Sequence, residues 1–341
     1  MIRFGVPWEW KLRVGTAMKN QTGGMMNYRM LGRTDLCVSA LALGTVELGM
    51  DYGIQVPGHF GRPSEEVAAA LLDQALAAGI NLLDTARAYG ESEAVLGRLL
   101  RRRRKLILLA TKASAHLPDG TVPTGAALQT HLVSQLEQSL RLLQTDYVDL
   151  WQIHNVDAQV LAAHETVAET FHAVQQAGKI RWRGGSFYGA ALPEQALHRD
   201  LFDVLQVTYS VFDQRITDRV LPLAEERNVG ILVRSVLLKG ALTERADHLP
   251  EHLATLRSRS RHFRHLVQQH APHLTPAQAA LAFVLANPQI QSALVGMRTA
   301  EECTSNLAAV ATRLSPDLLA ALQALRVDDE DLLNPGTWGI A

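Results

Sequence analysis

Eight short runs of Val, Ile and Leu, each followed by a segment with helical spacing, constrain this chain more than any other feature. The runs are LALGT (41–45), INLLDT (80–85), LILLAT (106–111), VDLWQIH (148–154), IRWRGGS (180–186), VLQVTY (204–209), GILVRS (230–235) and SALVG (292–296). Between them, 64–78, 91–104, 126–144, 159–177, 193–199, 217–228 and 276–286 read as helices, the first opening behind Pro63 on SEEV as a capping box and the last at TPAQ. Helices at 299–311 and 315–325 close the chain. Such alternation is the signature of parallel βα units. Eight of them in about 300 residues, with no second compositional regime and no Pro/Ser linker, predict one α/β domain over 25–341, a (β/α)8 TIM barrel. The apolar pieces at 28–38 predict a hairpin closing the barrel bottom, with the Gly-Arg-Thr-Asp cluster as its turn.

The doubly wound alternative lacks support, because no G-x-G-x-x-G follows any strand and no G-x-x-x-x-G-K occurs. GGSFYG at 184–189 also misses the nucleophile-elbow pattern. With 33 basic and 34 acidic residues, no global field draws the chain to nucleic acid or to an anionic membrane. No apolar run approaches the ~20 residues that span a bilayer. Cys37 and Cys303 stand far apart in no metal-ligand spacing and read as small buried hydrophobes in a reducing compartment. Residues 1–24 lack a continuous apolar stretch, so the expected location is cytoplasmic. That leader is expected to be a poorly ordered extension, or to precede a start at Met25 or Met26.

In a barrel of this kind the chemistry sits at the C-terminal ends of the strands. The second strand ends in Asp84 with Tyr89 in the loop behind it, the third in Lys112 and the fourth in His154. A phenol with a reference pKa near 10 is a sluggish acid. A neighbouring ammonium, held by an aspartate, is expected to lower it, and a histidine can hydrogen-bond the oxygen that receives the proton. These are the parts needed to protonate the alkoxide that forms when hydride adds to a carbonyl.

At these residues the sequence resembles the aldo-keto reductase superfamily, from Tyr28 to about residue 325. The most specific piece is NLLDTARAYGESEAVLG, which carries the Asp-Thr-Ala-x-x-Tyr-Gly signature. The resemblance implies Asp84, Tyr89, Lys112 and His154 as the catalytic tetrad, and an NADPH laid across the barrel mouth without a Rossmann motif. It implies Ser186 and Gln206 at the nicotinamide carboxamide and Tyr209 stacked on the ring. Thr45, Asp84, Ser235 and Leu237 are further cofactor positions. LVGMRTAEECTSN (294–306) looks like the adenosine-side loop and helix, with Gly296 allowing close approach, Arg298 on the 2′-phosphate and Asn306 on the adenine.

The chain departs from the family in three places. Ser186-Phe187-Tyr188 stands where Ser-Asn-Phe is common, and Ser235-Val236-Leu237, behind Arg234, where Ser-Pro-Leu is common. Glu302 replaces the usual Gln, and an acid there can favour a ribose 2′-hydroxyl, so NADH is possible. These features are similar to those of a subgroup tied to bacterial sugar and cell-surface carbohydrate pathways. Arg87 and Arg234 near the mouth could pair with an anionic substrate.

The expected function is therefore an NAD(P)H-dependent oxidoreductase acting on a small-molecule aldehyde, ketone or sugar-like substrate. The alternative is a nucleotide-binding, redox-sensing subunit with little turnover, as the potassium-channel β subunits of the superfamily suggest. Two charged stretches read as structural. Arg101 to Lys105 suit a helix C-terminus, and SRSRHFRHLVQQHAPH (258–273) is a solvated amphipathic helix, with a lid over the cofactor as its other reading. No metal is expected from its four histidines, His262, His265, His270 and His273. Oligomeric state has no sequence signal.

Overall fold

The computed structural model describes residues 18–19, 25–57 and 60–340. Apart from Met18–Lys19 (β1), which pairs antiparallel with Met25–Met26 (β2), the 1–24 leader lies outside the described residues. Tyr28–Met30 (β3) and Cys37–Ser39 (β4) form the antiparallel hairpin. Eight strands follow: Leu41–Gly44 (β5), Leu82–Asp84 (β6), Leu108–Ser114 (β7), Val148–His154 (β8), Ile180–Ser186 (β9), Val204–Thr208 (β10), Gly230–Arg234 (β11) and Ser292–Gly296 (β12). They run in chain order and parallel, and β12 pairs with β5 to close the barrel.

All eight predicted strands are present, because each apolar run has the length of a strand and is bounded by polar or glycine residues. The helices follow the predicted spans to within a few residues, with 159–177 broken into Ala158–Ala162 and His164–Gln176. Ser64 caps the helix Glu65–Ala77 by accepting from the Val67 amide, but Val67 cannot reach back, so SEEV is no capping box. The reciprocal box is at Thr275 and Gln278, opening Pro276–Leu285.

Strand alternation divides the core in two. Odd-facing residues such as Leu83, Trp151, Val207 and Val233 pack outward against the helices. Inside the barrel a separate cluster takes Ala42, Leu82, Ala110, Leu150, Val204, Leu232 and Leu294, with Trp182 against it. Leu31, Leu36 and Val38 of the hairpin join this inner cluster, so the hairpin does plug the bottom.

Two residues further along every strand, the same inward face carries Gly44, Asp84, Lys112, Gln152, Gly184, Gln206, Arg234 and Gly296. The barrel interior thus changes within one step from an apolar floor to a ring of glycines, charges and amides. Asp84, Lys112, Gln152 and Gln206 in that ring are each at most 3% exposed.

Candidate active site

Lys112 is fully buried in this ring, and its Nζ donates to Asp84 Oδ2 at 2.5 Å and to the Thr85 carbonyl at 2.9 Å. A buried ammonium without a carboxylate would lose its proton, so Asp84 holds the cation in place. The other oxygen, Asp84 Oδ1, accepts from Gln152 Nε2 at 3.0 Å and Gln206 Nε2 at 2.9 Å. Gln152 was not anticipated. Its signal was its place two residues before His154 on β8, hence on the same inward face.

Tyr89 leans over this pair, its hydroxyl 3.4 Å from Lys112 Nζ. The loop that carries it is fastened from both sides. Its amide donates to the Ala86 carbonyl, its carbonyl accepts from the Ser92 amide, and Glu91 N–H reaches the Gly49 carbonyl. Gly49 is required here, since a Cβ would collide with the Tyr89 carbonyl oxygen. Beneath the loop, Ser92 Oγ lies 2.8 Å from Thr45 Oγ1 and 2.9 Å from Thr85 Oγ1, and Thr45 Oγ1 donates to the Asp84 carbonyl at 3.0 Å. Thr45 therefore lines the cleft with its hydroxyl committed to the fold. The His154 ring meets the Tyr89 ring edge-on at 5.7 Å.

The electrostatics correct one expectation. Burial raises the Tyr89 hydroxyl above its ordinary value, and the Asp84 charge pushes the same way, so the phenol stays protonated instead of being lowered by Lys112. Burial also lowers the Lys112 ammonium against the pull of Asp84. His154 is lowered well below its usual range by burial, then by the charges of Lys112 and Arg234, and is neutral.

The cleft above the ring has a volume of about 400 Å³. Asp84, Tyr89 and Gln206 line one end, and Ser235 and Leu237 the wall. Gly296, Arg298, Glu302 and Asn306 line the other end. The wall is conformationally strained: Ser235, Leu238 and Lys239 all take left-handed φ, at 59°, 46° and 56°. Tyr209 lies elsewhere. It falls three residues after Gln206, hence on the opposite face, where it is buried and stacked on Phe283 at 5.8 Å. The expected ring-stacking position is not met by Tyr209.

Two buried atoms at the catalytic end have no partner, Ser186 Oγ and Gln206 Oε1. Neighbours in register on β9 and β10, they offer a donor and an acceptor that fit a carboxamide. At the far end Glu302 takes the Arg298 amide at 2.7 Å, Arg298 Nη2 at 3.3 Å and Arg245 Nη2 at 3.1 Å. Glu47 packs on Gly296, filling the space a Cβ would need there, and burial raises its carboxyl to about 7.

Other expectations are altered. Arg87 does not face the mouth freely: it pairs at 2.6 Å with Glu93, which is buried and also accepts from Thr111 Oγ1 at 2.6 Å. Glu93, in the first turn of Ser92–Leu100, thus clamps its helix to the Arg87 loop and to β7. Arg104 leaves the basic run to bind Asp149 at 2.8 Å. The helix Ala254–His270 buries Leu256, Ser260, Phe263 and Val267, leaves its histidines exposed, and puts no residue on the cleft, which opposes a lid. Among the described residues, no group of three or more metal-ligating side chains occurs and no helix is long and apolar enough to cross a membrane. Both cysteines are buried, and burial raises the Cys303 thiol to about 11.

The model of the Aldo/keto reductase family matches residues 40–327. The chain belongs to this family. As an aldo/keto reductase it is an oxidoreductase, and relatives agree over nearly full lengths. It is 31% identical over 320 residues to the oxidoreductase YqkF of Bacillus subtilis, covering 88% of this chain and 96% of that one. It is 31% identical over 319 residues to L-galactose dehydrogenase of Arabidopsis thaliana, covering 89% and 91%. Among solved structures, the aldo-keto reductase AKR11C1 from Bacillus halodurans in its holo form superposes with a TM-score of 0.73 at 27% identity, covering 92% and 99%.

Proposed function

We propose that this aldo/keto reductase interconverts a small carbonyl compound and its alcohol, with Tyr89 as the acid that protonates the carbonyl oxygen during reduction. The observation that carries the reading is the buried line Asp84–Lys112–Tyr89, with Lys112 Nζ 3.4 Å from the phenol oxygen. A bound nicotinamide cofactor supplies the hydride.

Tyr89, kept protonated by burial, holds its proton until negative charge grows on the substrate oxygen, and Lys112 then stabilises the phenolate left behind. His154, neutral and beside Tyr89, donates a hydrogen bond to the same oxygen. Ser186 and Gln206 orient the carboxamide through their unpartnered oxygens. NADPH is the proposed cofactor, with NADH admitted because Arg298 is already bonded to Glu302. The 31% identity to an L-galactose dehydrogenase supports a sugar-like substrate.

Tyr89→Phe tests the reading. The variant should lose roughly 10²–10⁴-fold in kcat, the range for a missing general acid, while nucleotide fluorescence shows the cofactor still bound. Near-wild-type turnover on a panel of aldehydes and sugars would remove Tyr89 from this role.

A further inference from the structure

Glu47 is an acid of the cleft that carbonyl reduction does not use. It follows β5 in the short helix Val46–Gly49, and its carboxyl lies over Gly296, the last residue of β12, in the space a Cβ there would take. Oε2 is buried without a hydrogen-bond partner, although the residue lines the cleft. An oxygen so placed is costly to ionise and far less costly to keep protonated. Burial is the first cause that raises this carboxyl to about 7; the charge of Glu302 pushes the same way, and the Glu47 amide, Arg298 and Arg245 pull it back.

The groups facing Glu47 come from several elements. Arg298 and Glu302 stand at the start of the helix Ala300–Ala308, where Glu302 holds both Arg298 and Arg245. Arg245 comes from the loop behind β11, and Glu244 beside it is exposed, where solvent screens it. Toward the catalytic end, the Glu47 charge reaches Tyr52 and Tyr89, two phenols that burial keeps protonated. With Glu47 neutral, two guanidiniums share one carboxylate, and the surplus positive charge suits a phosphate. With Glu47 ionised, these buried charges cancel among the described residues, and an incoming phosphate meets a second acid.

We propose that Glu47 couples nucleotide binding to protons: the dinucleotide phosphates bind while the Glu47 carboxyl is neutral, and their binding draws a proton onto it. The inference rests on the nicotinamide-cofactor reading above and adds the condition under which that cleft fills. Glu47 acts through charge on the phosphates and takes no part in the proton transfer at Tyr89. Because its carboxyl titrates at about 7, affinity is full below that pH and falls as the pH rises above it.

The full-length protein is titrated with NADPH and with NADH from pH 7 to pH 9, where neither coenzyme ionises, by nucleotide fluorescence. Wild-type Kd should rise about tenfold across this range. Calorimetry at pH 8 in HEPES and in Tris, buffers of different ionisation enthalpy, should show uptake of about half a proton per nucleotide bound. Linkage with both coenzymes identifies the diphosphate as the anion sensed, and linkage with NADPH alone identifies the 2′-phosphate. Glu47→Gln, neutral at every pH, should bind at pH 9 as wild type does at pH 7 and take up no proton. A flat wild-type Kd without proton uptake overturns the inference, whether or not the variant folds. So does a Glu47→Gln variant that keeps the wild-type slope, or a wild type that binds neither coenzyme. Proton-linked binding without turnover on any carbonyl supports the inference and sinks the reductase reading, whereas turnover with pH-independent binding does the reverse.

Discussion

Single residues in this cleft have states set by burial as much as by neighbours, and Glu47 shows the sign most clearly. Its carboxyl holds a proton up to about pH 7 in the folded protein against an ordinary value of 4.5. Between those values the folded chain binds more protons than the unfolded chain, so this residue lowers stability as pH rises from 4.5 to 7, with no further loss above. Glu47→Gln should therefore stabilise by about 1–2 kcal/mol at pH 8, the partly solvated site tempering the full shift, and by far less at pH 5. Urea unfolding of both proteins at the two pH values checks this, and an equal effect at both would contradict it. Lys112 lies at the opposite extreme. Lys112→Met removes the partner of a buried aspartate and should cost about 3–5 kcal/mol as well as turnover, read by thermal unfolding and by kcat.

Elements explain why those residues meet. Gly49 ends a short helical turn packed so tightly on the Tyr89 loop that an added Cβ would overlap the Tyr89 carbonyl oxygen and Ser92, so Gly49→Ala should displace that loop. Turnover should fall at least tenfold, with the far-UV circular dichroism spectrum retained, as expected when an acid is misplaced by about 1 Å. The same scale shows what was legible in advance. Strand-end chemistry reads directly, because a polar residue that closes an apolar run has few places to point, and Asp84, Lys112 and His154 all meet there. Strand parity, applied across each run, would also have found Gln152 and excluded Tyr209, whose separation of three from Gln206 sends it outward. The pairings of Arg87 with Glu93 and of Arg298 with Glu302 were not legible, because they depend on loop and side-chain paths that no periodicity records. The SEEV reading failed for a plainer reason, since the position that must reach back is a valine.

Across the whole molecule, the barrel separates stability from chemistry along its axis. The hairpin side chains Leu31, Leu36 and Val38 complete the apolar floor on one side of the polar ring, away from the cleft. Leu36→Ala should thus cost about 2–4 kcal/mol of stability, as a cavity in a packed core does, and leave KM unchanged for whatever substrate is used. Denaturant midpoints and steady-state kinetics measure the two effects separately. The ring itself has a consequence in time. It takes one residue from every barrel strand, from Gly44 on the first to Gly296 on the last, and the β12–β5 ladder joins those two ends. During synthesis the ring stays open until β12 has left the ribosome, and Arg298, Glu302 and Asn306 at the far end of the cleft follow later still, so a nascent chain already carrying Asp84, Tyr89, Lys112 and His154 has the acid before it has the cleft.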